Sequence, residues 1–232
     1  MTGTHPEYWS GGMIDAARAY VEGGGRLMYL GGNGMYWVTE RDPEHGHTIE
    51  IRRNGPSTRA WDPEPGEGYL SATGELGGLW RHRGMAPQRS LGVGFTAQGN
   101  GEGRPYARNP DLPPEAAWVL DGIGADELIG DLPSPAIGHG AAGFEIDRLD
   151  HAPGTPARTH LIATATGFSD SYQLASEDVP ISDSRQGGTV NDRVRADMTL
   201  LEYPGGAASS RSARSPGAHA CRPTATTTPS RA

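Results

Sequence analysis

The sequence predicts an α/β domain with glycine-rich β and loop insertions, over residues 1–206, and a disordered C-terminal tail over 207–232. Three observations carry this. An amphipathic helical pattern follows Ser10. Short apolar or aromatic runs come next, each stopped by a glycine cluster. After Gly206 the composition changes.

The helix is predicted first. Ser10 is an N-cap whose hydroxyl accepts from a free amide of the first turn. Met13, Ala16, Ala17, Tyr20 and Val21 fall on one face at helical spacing, and Gly23-Gly24-Gly25 ends the element. The stretch Thr2 to Ser10 reads as the turn between a strand end and this helix, the place where open α/β sheets bind ligands. The strand before it is reduced to Met1. The positive end of the helix dipole is expected to point toward Glu7.

Arg26 to Leu30 reads as a buried strand running into the tight turn Gly31-Gly32-Asn33-Gly34, where a backbone or ligand approaches closely. Met35–Thr39 and Thr48–Arg52 are further strands. Asn54 to Gly103 is loop-rich, with a short strand over Leu91–Phe95. Asn100 to Pro114 is expected to be an exposed loop, with a short element over Glu115–Leu120. The glycine turn Gly138–Gly143 leads into Phe144-Glu145-Ile146-Asp147-Arg148. His160–Thr166 and Ala196–Tyr203 complete the strands. Ala207 to Ala232 holds arginines but no acid and no aromatic, and ends rich in Thr, Ser and Pro.

Composition removes several function classes. The 35 glycines and 19 prolines argue for many turns and long loops. A net charge of −8 gives no basic face for nucleic acid. No apolar run approaches the roughly 18 residues of a membrane span, and no signal peptide opens the chain. The single cysteine, Cys221, forms no internal disulfide framework and fits a reducing cytoplasm.

Four motifs occur in order: His5-Pro6-Glu7-Tyr8-Trp9-Ser10, then Tyr29 to Trp37 with its glycine turn, Gly74-Glu75-Leu76-Gly77-Gly78-Leu79-Trp80-Arg81, and Gly143-Phe144-Glu145-Ile146-Asp147. Together they resemble the C-terminal region of the large (β) subunit of N,N-dimethylformamidase, over about Thr2 to Gly206. The resemblance implies a partial glutamine-amidotransferase-like open sheet. It implies hydrolysis of a small amide to formate and an amine at a single Fe(III) held by two tyrosines and one glutamate. It also implies a homo-oligomer or a small-subunit partner. Carried over, Glu7 is the metal ligand, His5 and Glu145 are catalytic groups beside the iron, and Asn33 binds substrate. In the family the two tyrosines precede the histidine–proline–glutamate motif at which this chain starts. The expectation is therefore that the chain alone is inactive. Tyr8 and Tyr36 are expected to pack beside the site. A trivalent iron would polarise an amide carbonyl or acidify a bound water. His5 and Glu145 would move protons, and Asn33 would orient substrate or stabilise an oxyanion.

Plainer readings stand beside these. His5 and Glu7 also read as an N-terminal capping group, Asn33 as a left-handed turn residue, and Glu145 as an arginine partner. Glu75 reads as a loop brace through backbone amides. An oligomer-forming or partner-binding module without catalysis is the alternative to an enzyme. A metal-free carboxylate pair, Glu7 with Glu145, is a third reading. Read one nucleotide earlier with GC-rich codons, Ala208 to Arg231 can encode an apolar, strand-like peptide containing Asn-Gly-Tyr-Asp. That peptide resembles the family's own segment after its Leu-Glu-Tyr-Pro motif, here Leu201 to Pro204. A frameshift after about Gly206 is the corresponding expectation.

Overall fold

The structure is a computed structural model that describes residues 1–3, 6–55, 61–179 and 184–204, and the backbone of 207–211. The elements are β1 (Tyr8–Trp9), α1 (Gly11–Glu22), β2 (Leu27–Tyr29), β3 (Trp37–Arg41), β4 (Ile49–Ile51), α2 (Gln88–Leu91), β5 (Gly94–Gln98), β6 (Ala107–Arg108), β7 (Pro133–Ser134), β8 (Gly138–His139), β9 (Glu145–Arg148), β10 (Thr159–Ala165), β11 (Gln173–Leu174), β12 (Ala196–Tyr203) and β13 (Ala207–Arg211). Three 3-10 helices join them, at Trp80–Arg83, Pro114–Leu120 and Ser176–Asp178.

The class is mixed α/β, built of small sheets with few helices. The strand orders are β1-β3-β4, β2-β13-β12-β10-β6, β11-β5-β9 and β7-β8. Only β1 with β3 and β13 with β2 pair in parallel among the described strands. A single open parallel sheet needs repeated helical crossovers. Here α1 is the one long helix among the described residues, so the strands close mainly as antiparallel pairs.

The helix expectation holds in its ends and only in part in its face: Val21 and Ala17 turn inward, and Met13 and Tyr20 do not. Ser10 Oγ accepts from Met13 N at 3.3 Å, and Gly23 closes the C-terminus through Ala19 O. The buried residues are Ile14 and Val21, with Ala17 packed between, while Met13 is 48 % and Tyr20 58 % exposed. The inward face is rotated because Ile14 meets Tyr29, Val38 and Trp80, and Val21 meets Leu201 and Tyr203. Burying an aliphatic side chain of this size contributes roughly 1.5–3 kcal/mol.

The N-terminal stretch also departs from expectation. Tyr8–Trp9 is itself the strand that delivers the chain to α1, and Trp9 O accepts from Trp80 Nε1 at 2.8 Å. Glu7 therefore lies just before β1, with the helix N-terminus beyond the strand's other end. The dipole expectation for Glu7 falls away.

Three further expectations shift. The strand predicted at Leu91–Phe95 begins at Gly94, because Leu91 ends α2 and Gly92 turns the chain at φ 80°. The loop expected over Asn100–Pro114 contains β6, and its Tyr106 is fully buried. Ala207–Arg211, expected as the start of the disordered tail, is β13, laddered between β12 and β2. The rest of that tail and the codons proposed for it lie outside the described residues. Among the described residues no helix is long and apolar enough to cross a membrane.

Candidate functional site

The site begins with the turn between β2 and β3. Gly31 to Tyr36 are buried throughout. Asp147 of β9, itself fully buried, clamps the turn. It accepts from Asn33 N at 2.8 Å and from the Tyr29 hydroxyl at 3.2 Å, and that hydroxyl accepts in turn from Gly34 N. The turn passes against β9 so closely that a methyl on Gly32 would run into the carbonyl oxygen of Glu145. Only glycine fits that approach.

This clamp fixes the side chain of Asn33. Its Nδ2 donates to Glu7 Oε2 at 3.0 Å and to Glu145 Oε1 at 3.3 Å. The segment carrying Glu7 is held alongside by backbone bonds: Pro6 O accepts from Met35 N, and Glu7 O accepts from Tyr36 N and Trp37 N. Three elements distant in sequence thus meet at one carboxamide. The reverse amide orientation would set its oxygen against two carboxylates, so the donor assignment follows from chemistry. Asn33 is 4 % exposed, and its buried Oδ1 has no hydrogen-bond partner among the described residues.

Backbone strain gathers at the same place. The described non-glycine residues with positive φ are Asn33 (58°), Met35 (51°) and Phe144 (59°). Phe144 is held by its N–H on the Tyr172 hydroxyl and by Gly99 N on its carbonyl. Such conformations cost about 1–3 kcal/mol each and concentrate at functional sites.

Glu7, Asn33, Phe144 and Glu145 line a cleft of about 910 Å³, together with Tyr8, Tyr36, Trp37, Arg53, Phe95 and Glu177. Arg53 donates to the Tyr8 hydroxyl and stacks over Tyr8 and Trp37. Burial, then the neighbouring Glu7, pushes the Tyr8 phenol up to about 12. Across the cleft, the Tyr36 hydroxyl donates to Glu177 Oε1 at 2.5 Å. Burial first, then the Glu177 charge, drives the Tyr36 phenol far above its ordinary range, and burial raises Glu177 as well. Both cleft phenols therefore hold their protons.

Glu177 sits on a braced wall. Its neighbour Asp178 accepts from Arg81 at 2.9 Å, Thr96 at 3.0 Å and Arg148 at 3.3 Å, and pairs with Arg193 at 3.4 Å. The brace fixes the 3-10 turn Ser176–Asp178 against β5 and β9.

Of the residues singled out from sequence, Glu7, Asn33 and Glu145 come together, and His5 lies outside the described residues. Asn33 is both the left-handed turn residue of the plain reading and the bridge between two carboxylates. Tyr8 and Tyr36 pack beside the site, as expected. Glu75 binds Arg83 at 2.8 Å rather than backbone amides. Glu7 and Glu145 meet on one amide nitrogen, so the two carboxyls of the metal-free reading do lie close together. Among the described residues no group of three His, Cys, Asp or Glu is arranged to hold a metal ion. Sequence reasoning missed Glu177 and Arg53, which sit in no local pattern that marks them and reach the site through long-range packing. Asp147 ends the fourth motif, but its role as the clamp on the glycine turn was not read from it.

Comparison with known proteins gives two concordant findings. Residues 1–212 match the family model described as N,N-dimethylformamidase beta subunit-like, C-terminal. The chain is also 38 % identical, over 207 residues, to the N,N-dimethylformamidase beta subunits of Paracoccus aminophilus and of an Alcaligenes species. Those matches cover 89 % of this chain and 27 % of each relative, so the chain spans about a quarter of their length.

Proposed function

The chain belongs to the N,N-dimethylformamidase beta subunit-like C-terminal family, and on that premise we propose that its cleft serves the hydrolysis of a small amide to formate and an amine. The observation that carries the reading is the Asn33 carboxamide held between Glu7 and Glu145. In this reading Glu7 is a metal ligand, Glu145 and His5 move protons, and Asn33 positions the substrate. The amidotransferase-like sheet belongs to the same proposal, as do the cytoplasmic setting and a partner subunit or further copies of the chain.

The residues fit iron in part. Glu7 offers one hard carboxylate oxygen, which suits Fe(III). The two cleft phenols are already engaged, Tyr8 with Arg53 and Tyr36 with Glu177. In this reading the two tyrosine ligands are those that precede the histidine–proline–glutamate motif in the family, and neither cleft phenol is assigned to the metal. Bound iron would supply Lewis-acid polarisation of the amide carbonyl. The chain's own residues set the rest. Asn33 keeps two carboxylates at one point of the cleft. Glu145 takes a proton there from the attacking water. The aromatic wall gives the amide's methyl groups an apolar face to pack against.

The test is titration of N,N-dimethylformamide into the purified chain, alone and with Fe(III), followed by calorimetry and a formate assay. Asn33→Ala is expected to weaken amide binding by about tenfold, or 1.4 kcal/mol. An Asn33→Ala chain that folds and binds the amide as the parent does overturns the reading.

A further inference from the structure

The cleft has two polar ends, and the proposed function uses one. Glu7, Asn33 and Glu145 form the first. The second is the wall of Tyr36, Phe95 and Glu177, contributed by the start of β3, by β5 and by the 3-10 turn after β11. Its rings are fixed. Tyr36 meets Phe95 at 5.3 Å and Trp37 at 5.0 Å, both edge to face. Its carboxyl is fixed as well, by the 2.5 Å bond from Tyr36 and by the brace on Asp178. Among the described residues the cleft carries three carboxyls, from Glu7, Glu145 and Glu177, against one guanidinium, from Arg53.

We infer that the Tyr36–Phe95–Glu177 wall is a subsite for a small alkylated ammonium ion, with Glu177 as its counter-ion and the rings as its cation–π partners. An alkylammonium is apolar at its methyl groups and positive around its nitrogen. Aromatic faces beside a carboxylate match both properties. The subsite deepens the proposed function and rests on it: hydrolysis of an N,N-dialkylformamide leaves a dialkylamine, which is protonated in neutral water. The chemistry is shared by free quaternary ammonium ions, so the test separates the two sources.

Proton bookkeeping gives a second readout. Glu177 faces Tyr36, Arg81 and Asp178, and Tyr36 in turn feels Glu145. Burial favours the neutral carboxyl and a bound cation favours the charged one, so cation binding is expected to lower proton occupancy at Glu177. Affinity for the cation then rises with pH, and the proton appears in the buffer.

The experiment is calorimetric titration of the full chain with dimethylammonium chloride, tetramethylammonium chloride and N,N-dimethylformamide. It is run in two buffers of different ionisation enthalpy, with Glu177→Gln and Phe95→Leu beside the parent. Circular dichroism melts establish that each variant folds. Dimethylammonium is expected to bind with proton release, to lose about tenfold in Glu177→Gln and about threefold in Phe95→Leu. Formamide binding is expected to stay within about twofold in Glu177→Gln. Dimethylammonium binding that is absent, or indifferent to both variants, overturns the subsite. If formamide still binds in that case, the proposed function survives. If only the cation binds, and through Glu177, the subsite stands and the amide reading falls. Tetramethylammonium binding equal to dimethylammonium assigns the wall to quaternary ions and overturns its link to the leaving amine.

Discussion

Two glutamates in this chain meet opposite fates. Glu50, in β4, accepts from Ser71 N and Ser71 Oγ at 2.8 Å each and pairs with Arg52 at 2.6 Å. Burial raises its pKa, but these donors outweigh burial and hold the carboxyl down at about 2. Glu177, on the cleft wall, has the Tyr36 hydroxyl and the more distant Arg81 on its side, and burial wins. The difference lies in both burial and donors: Glu177 is far more deeply buried than Glu50, and fewer donors reach it. One carboxylate is tied into the scaffold as a charge. The other faces a cleft with its pKa raised by burial, which is how a carboxyl is made available for binding or proton transfer.

The contrast is broken most forcefully at Asp178. Its side chain is 8 % exposed and Arg148's is 7 %. Asp178→Ala leaves Arg81, Arg148 and Arg193 without their shared acceptor, and breaking such a buried pair costs about 3–5 kcal/mol. A melting temperature lower by about 10 °C is expected. In the folded fraction Arg81, freed from the Asp178 carboxylate, would lower the Glu177 pKa and bring it closer to that of Glu50. A loss below about 1 kcal/mol by urea unfolding would show that the brace is not what holds this wall.

Glu177→Gln sharpens the contrast through pH. A carboxyl whose pKa is raised on folding contributes stability below its unfolded value, and that contribution fades as pH rises through the folded value. The parent is therefore expected to lose stability relative to Glu177→Gln as pH climbs out of the ordinary carboxyl range toward neutrality. The change is on the order of 1 kcal/mol. Urea unfolding of both chains at pH 4, 6 and 8 reads it. Parallel stability profiles would place Glu177 with the ordinary carboxylates.

The sequence showed the ends of elements better than their faces. Ser10 and Gly23 bound α1 because capping is local chemistry, whereas Met13 and Tyr20 looked like core and are exposed. Apolar residues on a surface are common, and periodicity alone does not say which of two adjacent stripes turns inward. β13 is small and polar, so no propensity marks it; it is a strand because the edges of β12 and β2 supply its ladder. At the site, Glu7, Asn33 and Glu145 were legible through four motifs in order. Read one at a time, each has an ordinary structural explanation. Glu177 had no such signal. It lies 141 positions from the phenol it binds, and only the packed chain brings them together.

The smallest expected effect tests the other side of the contrast. Ser71→Ala removes one hydroxyl donor from Glu50 and leaves the Ser71 backbone N–H and Arg52 in place. Hydrogen bonds to a charged acceptor are net stabilising, and the loss of one of several is expected to cost about 1 kcal/mol at neutral pH. The sign of the pH dependence is the reverse of that for Glu177. A carboxyl with a depressed folded pKa contributes stability above its unfolded value, and that stability is lost as pH falls toward about 2. The penalty of Ser71→Ala is therefore expected in full above the ordinary carboxyl range and to shrink as the medium is acidified, because a protonated Glu50 no longer needs the donor. Urea midpoints of the two chains that converge on acidification bear this out. A gap that stays constant with pH would mean the hydroxyl acts by packing and not through the Glu50 charge, and the donor half of the account of the two glutamates would fail at its simpler member.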